Sequence, residues 1–177
     1  MLRDRALPRT VHPTMPQAHV EIARALWPGS EVDLVEVFRR GEVPPWGLSG
    51  LGPDTEVSFR TARPVLESPT YRGLAGLVEG WLDWLEPYES YRIVVEDYIE
   101  AGGDQVLIPA RVRAKTRRDG VLIEHAPAAV CAISDSKVTQ ITFYLEREEA
   151  FKAVGLPTPS THTSAPPPGD RPVPGRG

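Results

Sequence analysis

The sequence has few of the residues that form covalent cross-links and no run that resembles a membrane span. It contains one cysteine, Cys131, so no disulfide can form within the chain. Cys131 lies in an apolar run, where a thiol behaves as a small hydrophobic side chain. No apolar stretch approaches the roughly 20 residues that span a bilayer. The N-terminal residues are too polar, and too interrupted by proline, for a signal peptide. We therefore expect a cytoplasmic protein that does not associate with membranes.

An excess of basic residues is also lacking. Lys and Arg total 20 against 24 Asp and Glu, for a net charge of -4, and the two signs are interspersed. This pattern gives no broad positive field to attract phosphates, so nucleic acid is not an expected partner. The four histidines do not show the spacing of metal ligands, and there is no glycine-rich phosphate loop or nucleophile elbow. We expect no metal and no other cofactor.

The sequence predicts one domain with a flexible segment at each end. Residues 157–177 hold seven of the 19 prolines and no aromatic residue, which predicts a disordered tail. Residues 1–13 are predicted to form a flexible leader. Residues 14–156 remain for one domain, because a single core of this size can bury about two-thirds of the unfolded surface.

Three segments have the patterns of helices. Residues 14–17 combine a capping threonine with a first-turn proline, and they predict a helix that continues to Trp27. Ser30 has the character of a second N-cap, for a shorter helix that ends at Gly41. The strongest helical stripe, with apolar residues three and four positions apart, is Leu74, Leu77, Val78, Trp81, Leu82 and Leu85.

After residue 87 the apolar period changes from 3.6 to 2, which is typical of strands. Strands are predicted over 93–99, 106–115, 121–133 and 138–145, with turns at 102–103, 119–120 and 135–136. These four strands form an antiparallel meander. An earlier strand is predicted over 55–61, a final helix over 147–154, and a covering loop over 41–54, around Trp46.

Three stretches carry a resemblance to a known group of proteins. They are HVEIARALW with DLVEVF, YRGLAGLVEGWLDWLEPYESYRI, and DSKVTQITFYLEREEAFKAVGL. Together with the order of elements over residues 20–156, they resemble the SnoaL-like proteins of the nuclear transport factor 2-like superfamily. The resemblance implies an α+β fold, a cone-shaped barrel in which a curved antiparallel sheet has helices packed on its concave face. It also implies a homodimer through the outer sheet face, around Leu107, Pro109 and Arg111.

The resemblance further implies a pocket between the long helix, the first helix and the concave sheet face. Relatives use this pocket for polyketide cyclisation, ketosteroid isomerisation, epoxide hydrolysis or binding alone. The positions that match the catalytic carboxylate, the tyrosine donor and the base of the enzymes hold Ala129, Ile22 and Phe59. The sequence therefore favours a protein that binds a small apolar molecule, in secondary metabolism, without the usual catalytic carboxylate.

Two alternatives remain. His125 is expected on the same face of its strand as Ala129, and Asp97 on the same face as Ile93 and Val95. The two side chains could therefore act as the acid–base pair of a cyclase or isomerase-type enzyme. A structural dimer without ligand is the other alternative. The mid-stripe position of Trp81 favours plain core packing, and Trp84, off the stripe, is the better ligand contact. The predicted pocket residues are Ile22, Trp46, Phe59, Tyr71, Trp81, Trp84, His125, Ala129 and Phe143.

Overall fold

A computed structural model describes residues 15–27, 29–40, 50–61 and 69–159 of the chain. The helices in this part are α1 (Met15–Leu26), α2 (Leu34–Arg39), α3 (Gly73–Leu85) and α4 (Arg147–Ala153). The strands are β1 (Val32–Asp33), β2 (Leu51–Arg60), β3 (Thr70–Arg72), β4 (Tyr88–Val95), β5 (Ile99–Gly102), β6 (Gln105–Thr116), β7 (Leu122–His125), β8 (Ala128–Ser134) and β9 (Lys137–Tyr144). Among the described helices, none has the length and apolar character needed to cross a membrane.

The strands form one curved, unclosed sheet in the order β1-β4-β6-β8-β9-β2-β3, and β5 and β7 pair with β6. The predicted α+β fold and the meander β4-β6-β8-β9 are confirmed. Several details differ from the prediction: β2 begins at Leu51, inside the predicted loop, and the predicted strand 93–99 breaks after Val95. The sheet is mixed, because β2 runs parallel to β9. The predicted strand 121–133 is two strands, β7 and β8, and Pro127 lies in the break, where it has no N–H to give to a strand ladder.

The N-cap of the short helix α2 is Asp33 and not the predicted Ser30. The Asp33 carboxylate accepts hydrogen bonds from the backbone N–H groups of Val35, at 3.1 Å, and Glu36, at 3.4 Å. An aspartate in this position satisfies donors that the first turn leaves free. The predicted end at Gly41 lies outside the described residues.

Helix α3 packs most of its predicted apolar stripe against the inner, concave face of the sheet, but Leu82 of that stripe is 51% exposed. Leu77, Trp81 and Leu85 are buried there, as the period predicted. Gly80 lets the helix approach β2 closely, because a side-chain carbon at this position would overlap the ring of Phe59. The close approach brings the rings of α3 and β2 into direct contact.

The sheet buries residues on both faces. Along β6, alternate residues face the inner core, and they are Val106, Ile108, Ala110, Val112 and Ala114. A second cluster lies on the outer face, where α4 covers Leu107, Ala128 and Val130 with Ala150 and Phe151. Not all the helices are therefore on the concave face: α4, the last helix, packs on the opposite side.

The outer strip that supported the homodimer is largely buried within the chain. Leu107 is 0% exposed beneath α4, and Pro109 is buried too. Arg111 is exposed and its Nη2 lies 2.5 Å from Glu96 Oε1. The homodimer stays a prediction. Because Leu107 and Pro109 are buried, these residues do not form the exposed apolar strip on which the prediction was based.

Candidate functional site

An apolar cavity lies between α3, the end of α1 and the inner face of the sheet. The space between its walls, counted out to the open mouth, is about 700 Å³, and about 50 Å³ of it admits the centre of a water-sized sphere. The described residues that line it are Leu26, Trp27, Leu77, Trp81, Trp84, Tyr91, Ile93, Val95, Ile108, Ala110, Pro127, Ala128, Ala129, Cys131, Ile141, Phe143 and Tyr144. None of these side chains carries a charge at neutral pH.

Aromatic rings form one wall of the cavity, with Trp81 at the centre. The Trp81 ring centroid lies 5.6 Å from that of Trp27, 5.4 Å from that of Phe59 and 4.9 Å from that of Phe143. Phe59 stacks on Phe143 at 4.8 Å. Edge-to-face and offset contacts of this kind stabilise by about 0.5–1.5 kcal/mol per pair beyond the area that they bury. The wall is therefore a well-packed surface that a flat apolar group can contact.

The polar groups nearest the cavity form a short chain through the hydroxyl of Tyr91. Trp84 Nε1 donates to that hydroxyl at 3.2 Å, and His125 Nε2 lies 3.3 Å from it. Tyr91 is 1% exposed, and burial raises the pKa of its phenol. The hydroxyl thus stays protonated at any pH at which the protein would be studied.

His125 lies behind Tyr91, on β7. It pairs with Val112 of β6, so its side chain has the inner parity that the sequence predicted. Burial lowers the pKa of His125, and the backbone of Leu145 offsets part of this shift. The imidazole is therefore mostly neutral at pH 7. His125 is not among the residues that line the cavity, but it contacts the hydroxyl of Tyr91, which does line it.

Four of the predicted pocket residues line this cavity: Trp81, Trp84, Ala129 and Phe143.

 The side chain of Ala129 projects from β8 into the cavity beside Cys131, on the face opposite Ala128 and Val130. The position that the resemblance matched to a catalytic carboxylate thus faces the cavity and holds a methyl group. The position of Trp81 in the helical stripe predicted plain core packing. In the structure Trp81 packs in the core and also lines the cavity.

Three other predicted pocket residues lie near the cavity but do not line it. Ile22 is half-buried and packs against the inner core, and Phe59 lies behind Trp81 and Phe143. Tyr71 donates its hydroxyl proton to Asp83 at 2.8 Å, toward the surface. Burial and this contact raise the pKa of Tyr71 to about 12. Trp46 lies outside the described residues.

The structure does not bring Asp97 to the cavity. Strand β4 ends at Val95, and the exposed Asp97 carboxylate accepts a hydrogen bond from the backbone of Tyr98 at 2.8 Å. The alternation restarts after this break, so Ile99 packs on the outer cluster and not beside Val95. The predicted parity of Asp97 was wrong because the strand does not continue through it.

The cavity residues that the sequence did not predict include Trp27 and Tyr91. Tyr91 is two residues before Ile93 and four before Val95, so extending the period-2 pattern backwards would have found it. Trp27 follows the last turn of α1, and its place in the wall depends on how that helix crosses the sheet. Periodicity alone carries no signal for that crossing.

Nucleophilic and metal-ligating groups are sparse at the site. Cys131 is fully buried, and burial raises the pKa of its thiol to about 12, so the reactive thiolate is not formed near pH 7. Within the described ranges, no group of three His, Cys, Asp or Glu residues is arranged to hold a metal ion. The site therefore offers contact area and a few neutral hydrogen-bonding groups.

Comparison with known proteins identifies the fold. No family model and no curated protein sequence matches the chain. Several solved structures do match in three dimensions. One is TerC, crystallised with polyporic acid, at 19% identity and a TM-score of 0.54, covering 78% of this chain and 98% of that one.

Two bacterial proteins give similar matches. A nuclear transport factor 2-like protein from Burkholderia thailandensis has 18% identity and a TM-score of 0.55, covering 76% of this chain and 95% of the other. A protein described as a SnoaL-like polyketide cyclase, from Jannaschia sp. CCS1, has 15% identity and a TM-score of 0.50, covering 88% and 99%. The fold of this chain is accordingly that of the nuclear transport factor 2-like proteins, the group in which the SnoaL-like proteins are found.

Proposed function

We propose that the protein binds a small, neutral, largely apolar molecule in the cavity between α3 and the inner face of the sheet. The observation that carries the proposal is the cavity lining, in which no described side chain is charged. Burying an ion without a partner costs far more free energy than burying a neutral group, so this lining selects against charged ligands. Apolar contact with the aromatic wall supplies the favourable free energy of binding.

The size of the cavity limits the ligand. About 50 Å³ is open to the centre of a water-sized sphere, whereas an engineered cavity that binds benzene measures about 150 Å³. A ligand of one aromatic ring therefore requires side chains of the wall to move apart. We propose that the ligand also occupies the open mouth of the cavity, which is included in the larger volume of about 700 Å³.

The geometry gives less support to the acid–base enzyme. That alternative requires His125 and Asp97 to act on one substrate, but Asp97 is exposed outside the cavity lining and His125 lies behind Tyr91. Ala129 can neither move a proton nor stabilise an oxyanion. A structural dimer without ligand does not account for an open apolar cavity. We propose secondary metabolism as the setting, in view of the polyketide cyclase described among the similar folds.

Thermal unfolding with ethylbenzene tests the proposal. At a concentration ten times its Kd, a ligand that binds only the folded protein stabilises it by about 1.4 kcal/mol. For a chain of this size we expect the Tm to rise by about 3 °C or more. Calorimetric titration of the same probe should give one site per chain.

A pair of variants on β8 provides the control. Ala129→Leu fills the cavity and should abolish the rise in Tm. Ala132→Leu makes the same change on the opposite parity of the strand and should keep it. No rise in the wild type, or an equal rise in both variants, would contradict binding in this cavity.

A further inference from the structure

A second pocket opens beside the apolar cavity, between α3 and the strands β2 and β3. Its described lining includes the side chains of Phe59, Tyr71, Asp83 and Trp84, and of all the described lining residues only Trp84 also lines the apolar cavity. About 210 Å³ of the second pocket admits the centre of a water-sized sphere, whereas an engineered cavity that binds benzene measures about 150 Å³. The second pocket therefore has room for a small ligand without movement of its walls.

Three aromatic rings form the apolar part of this lining. The ring centroid of Phe59 lies 5.9 Å from that of Tyr71, with the two planes at 90°, and 5.4 Å from that of Trp84, with the planes at 40°. Phe59 is buried and the other two residues are half-buried, so Phe59 lies at the floor of the pocket and Tyr71 and Trp84 at its sides. Aromatic rings set at different angles around one space are the arrangement in which proteins hold alkylated ammonium groups.

Negative charge at the rim of this pocket is not compensated. Tyr71 donates its hydroxyl proton to the Asp83 carboxylate at 2.8 Å. Burial, followed by the carboxylates of Asp83 and Glu79, raises the pKa of Tyr71. In the described part of the chain, neither carboxylate is paired with a basic side chain. Arg60 and Arg72, which adjoin lining residues in sequence, lie on the other face of their strands.

From the three rings and the two carboxylates we infer that the second pocket binds a small organic cation that carries a quaternary ammonium group. A primary ammonium has three N–H donors that each need an acceptor, whereas a quaternary ammonium has none and is stabilised by ring faces and a nearby negative charge. The inference goes beyond the proposed function, because the apolar cavity has no charged side chain among its described lining residues. The two sites therefore take ligands of different charge.

Choline and its neutral carbon analogue, 3,3-dimethylbutanol, test the role of the charge. The two probes have nearly the same shape, because a carbon atom replaces the nitrogen. We expect wild-type protein to bind choline about tenfold more tightly, since only choline is attracted by the rings and the carboxylates. Titration followed by ¹H–¹⁵N spectra measures both Kd values. Choline should move the indole signal of Trp84 and the amide signals of Tyr71 and Asp83.

Two substitutions separate the charge from the rings. Asp83→Asn removes the charge and keeps the shape, so at low ionic strength we expect the affinity for choline to fall about threefold and that for 3,3-dimethylbutanol to stay unchanged. Asp54→Asn is the matched control, at an exposed position near the start of β2 that does not line the pocket, and should change neither affinity. Tyr71→Leu removes one ring and should lower the affinity for choline, relative to the neutral probe, by about threefold or more.

A variant of the apolar cavity shows which site the cation occupies. Ala129→Leu fills that cavity and should leave the binding of choline unchanged. Equal binding of the two probes to wild-type protein, an absence of choline-induced shifts at Tyr71 and Asp83, or loss of choline binding in Ala129→Leu would each overturn the inference. Since ethylbenzene tests the proposed function, either proposal can fail while the other stands.

Discussion

The two faces of β6 and β8 differ in what covers them. On the inner face, Ile108, Ala110 and Ala129 border a cavity that is not completely filled. On the outer face, α4 places Phe151 directly over Leu107 and Val130, and this cluster is closed. The same two strands thus carry a packed cluster on one side and an incompletely filled cavity on the other. From this difference we predict that the stability of the fold and the proposed binding can be changed separately.

The outer face also differs along its own length. Beyond α4, β6 presents Arg111 and Arg113 to solvent, and both pair with glutamates: Glu96 and Glu124. Arg147 also binds Glu96, at 2.6 Å, and donates to the Ala110 carbonyl at 2.7 Å. Burial would raise the pKa of Glu96, but Arg147 and Arg111 lower it overall. This ion pair ties the start of α4 to the sheet.

The largest effect is expected from Phe151→Ala, which empties the closed outer cluster. Removing a buried phenylalanine side chain costs about 3–5 kcal/mol, and Phe151 is 3% exposed. Chemical denaturation should show this loss, while the affinity of the folded variant for ethylbenzene stays within about twofold, since Phe151 does not line the cavity. A large change in that affinity would show that the two faces are coupled.

A charge placed on the inner face should have a smaller, pH-dependent effect. Ala129→Asp puts a carboxyl in the apolar cavity, where burial disfavours its charged form and raises its pKa above about 3.9. The penalty is absent below the unfolded pKa. It grows as the pH rises from the unfolded pKa to the folded pKa and then levels off, and we expect about 3 kcal/mol at pH 8. Denaturation midpoints between pH 3 and pH 8 measure it.

Ala132→Asp is the matched control for this charge. Ala132 is half-buried like Ala129, but it lies on the opposite face of β8 and does not line the cavity, so its carboxyl can reach water. We expect its stability to change by under about 1 kcal/mol over the same pH range. Equal pH dependence in the two variants would mean that the faces of β8 do not differ as the structure indicates.

The sequence predicted the elements and faces where a pattern continued without interruption. The stripe of α3 correctly placed Leu77, Trp81 and Leu85 on the inner core, and the alternation of β6 correctly separated Val112 from Arg113. These features follow from the local periods of 3.6 and 2, which a single sequence displays.

The features that the sequence did not predict depend on contacts between distant segments. Asp97 was misplaced because the strand breaks after Val95, and the parallel pairing of β2 with β9 joins residues about 80 positions apart. Burial of Leu107 beneath α4 likewise depends on where the last helix docks. Trp81 Nε1 has no hydrogen-bond partner among the described residues, and no pattern in the sequence indicates this.

The smallest effect is expected at β7, where adjacent residues lie on opposite faces. His125 is half-buried behind Tyr91, and its neighbour Glu124 is exposed and pairs with Arg113 at 3.0 Å. Because burial lowers the folded-state pKa of His125, the unfolded chain binds a proton first as the pH falls through about 6.5. Wild-type stability should therefore decline between pH 8 and pH 5, and His125→Gln should remove that part of the decline. Glu124→Gln, which breaks only an exposed ion pair, should shift stability by under about 0.5 kcal/mol at every pH. Denaturation midpoints for the three proteins measure this, and a decline in His125→Gln as steep as in the wild type would show that the imidazole is not held in its neutral form on the inner face.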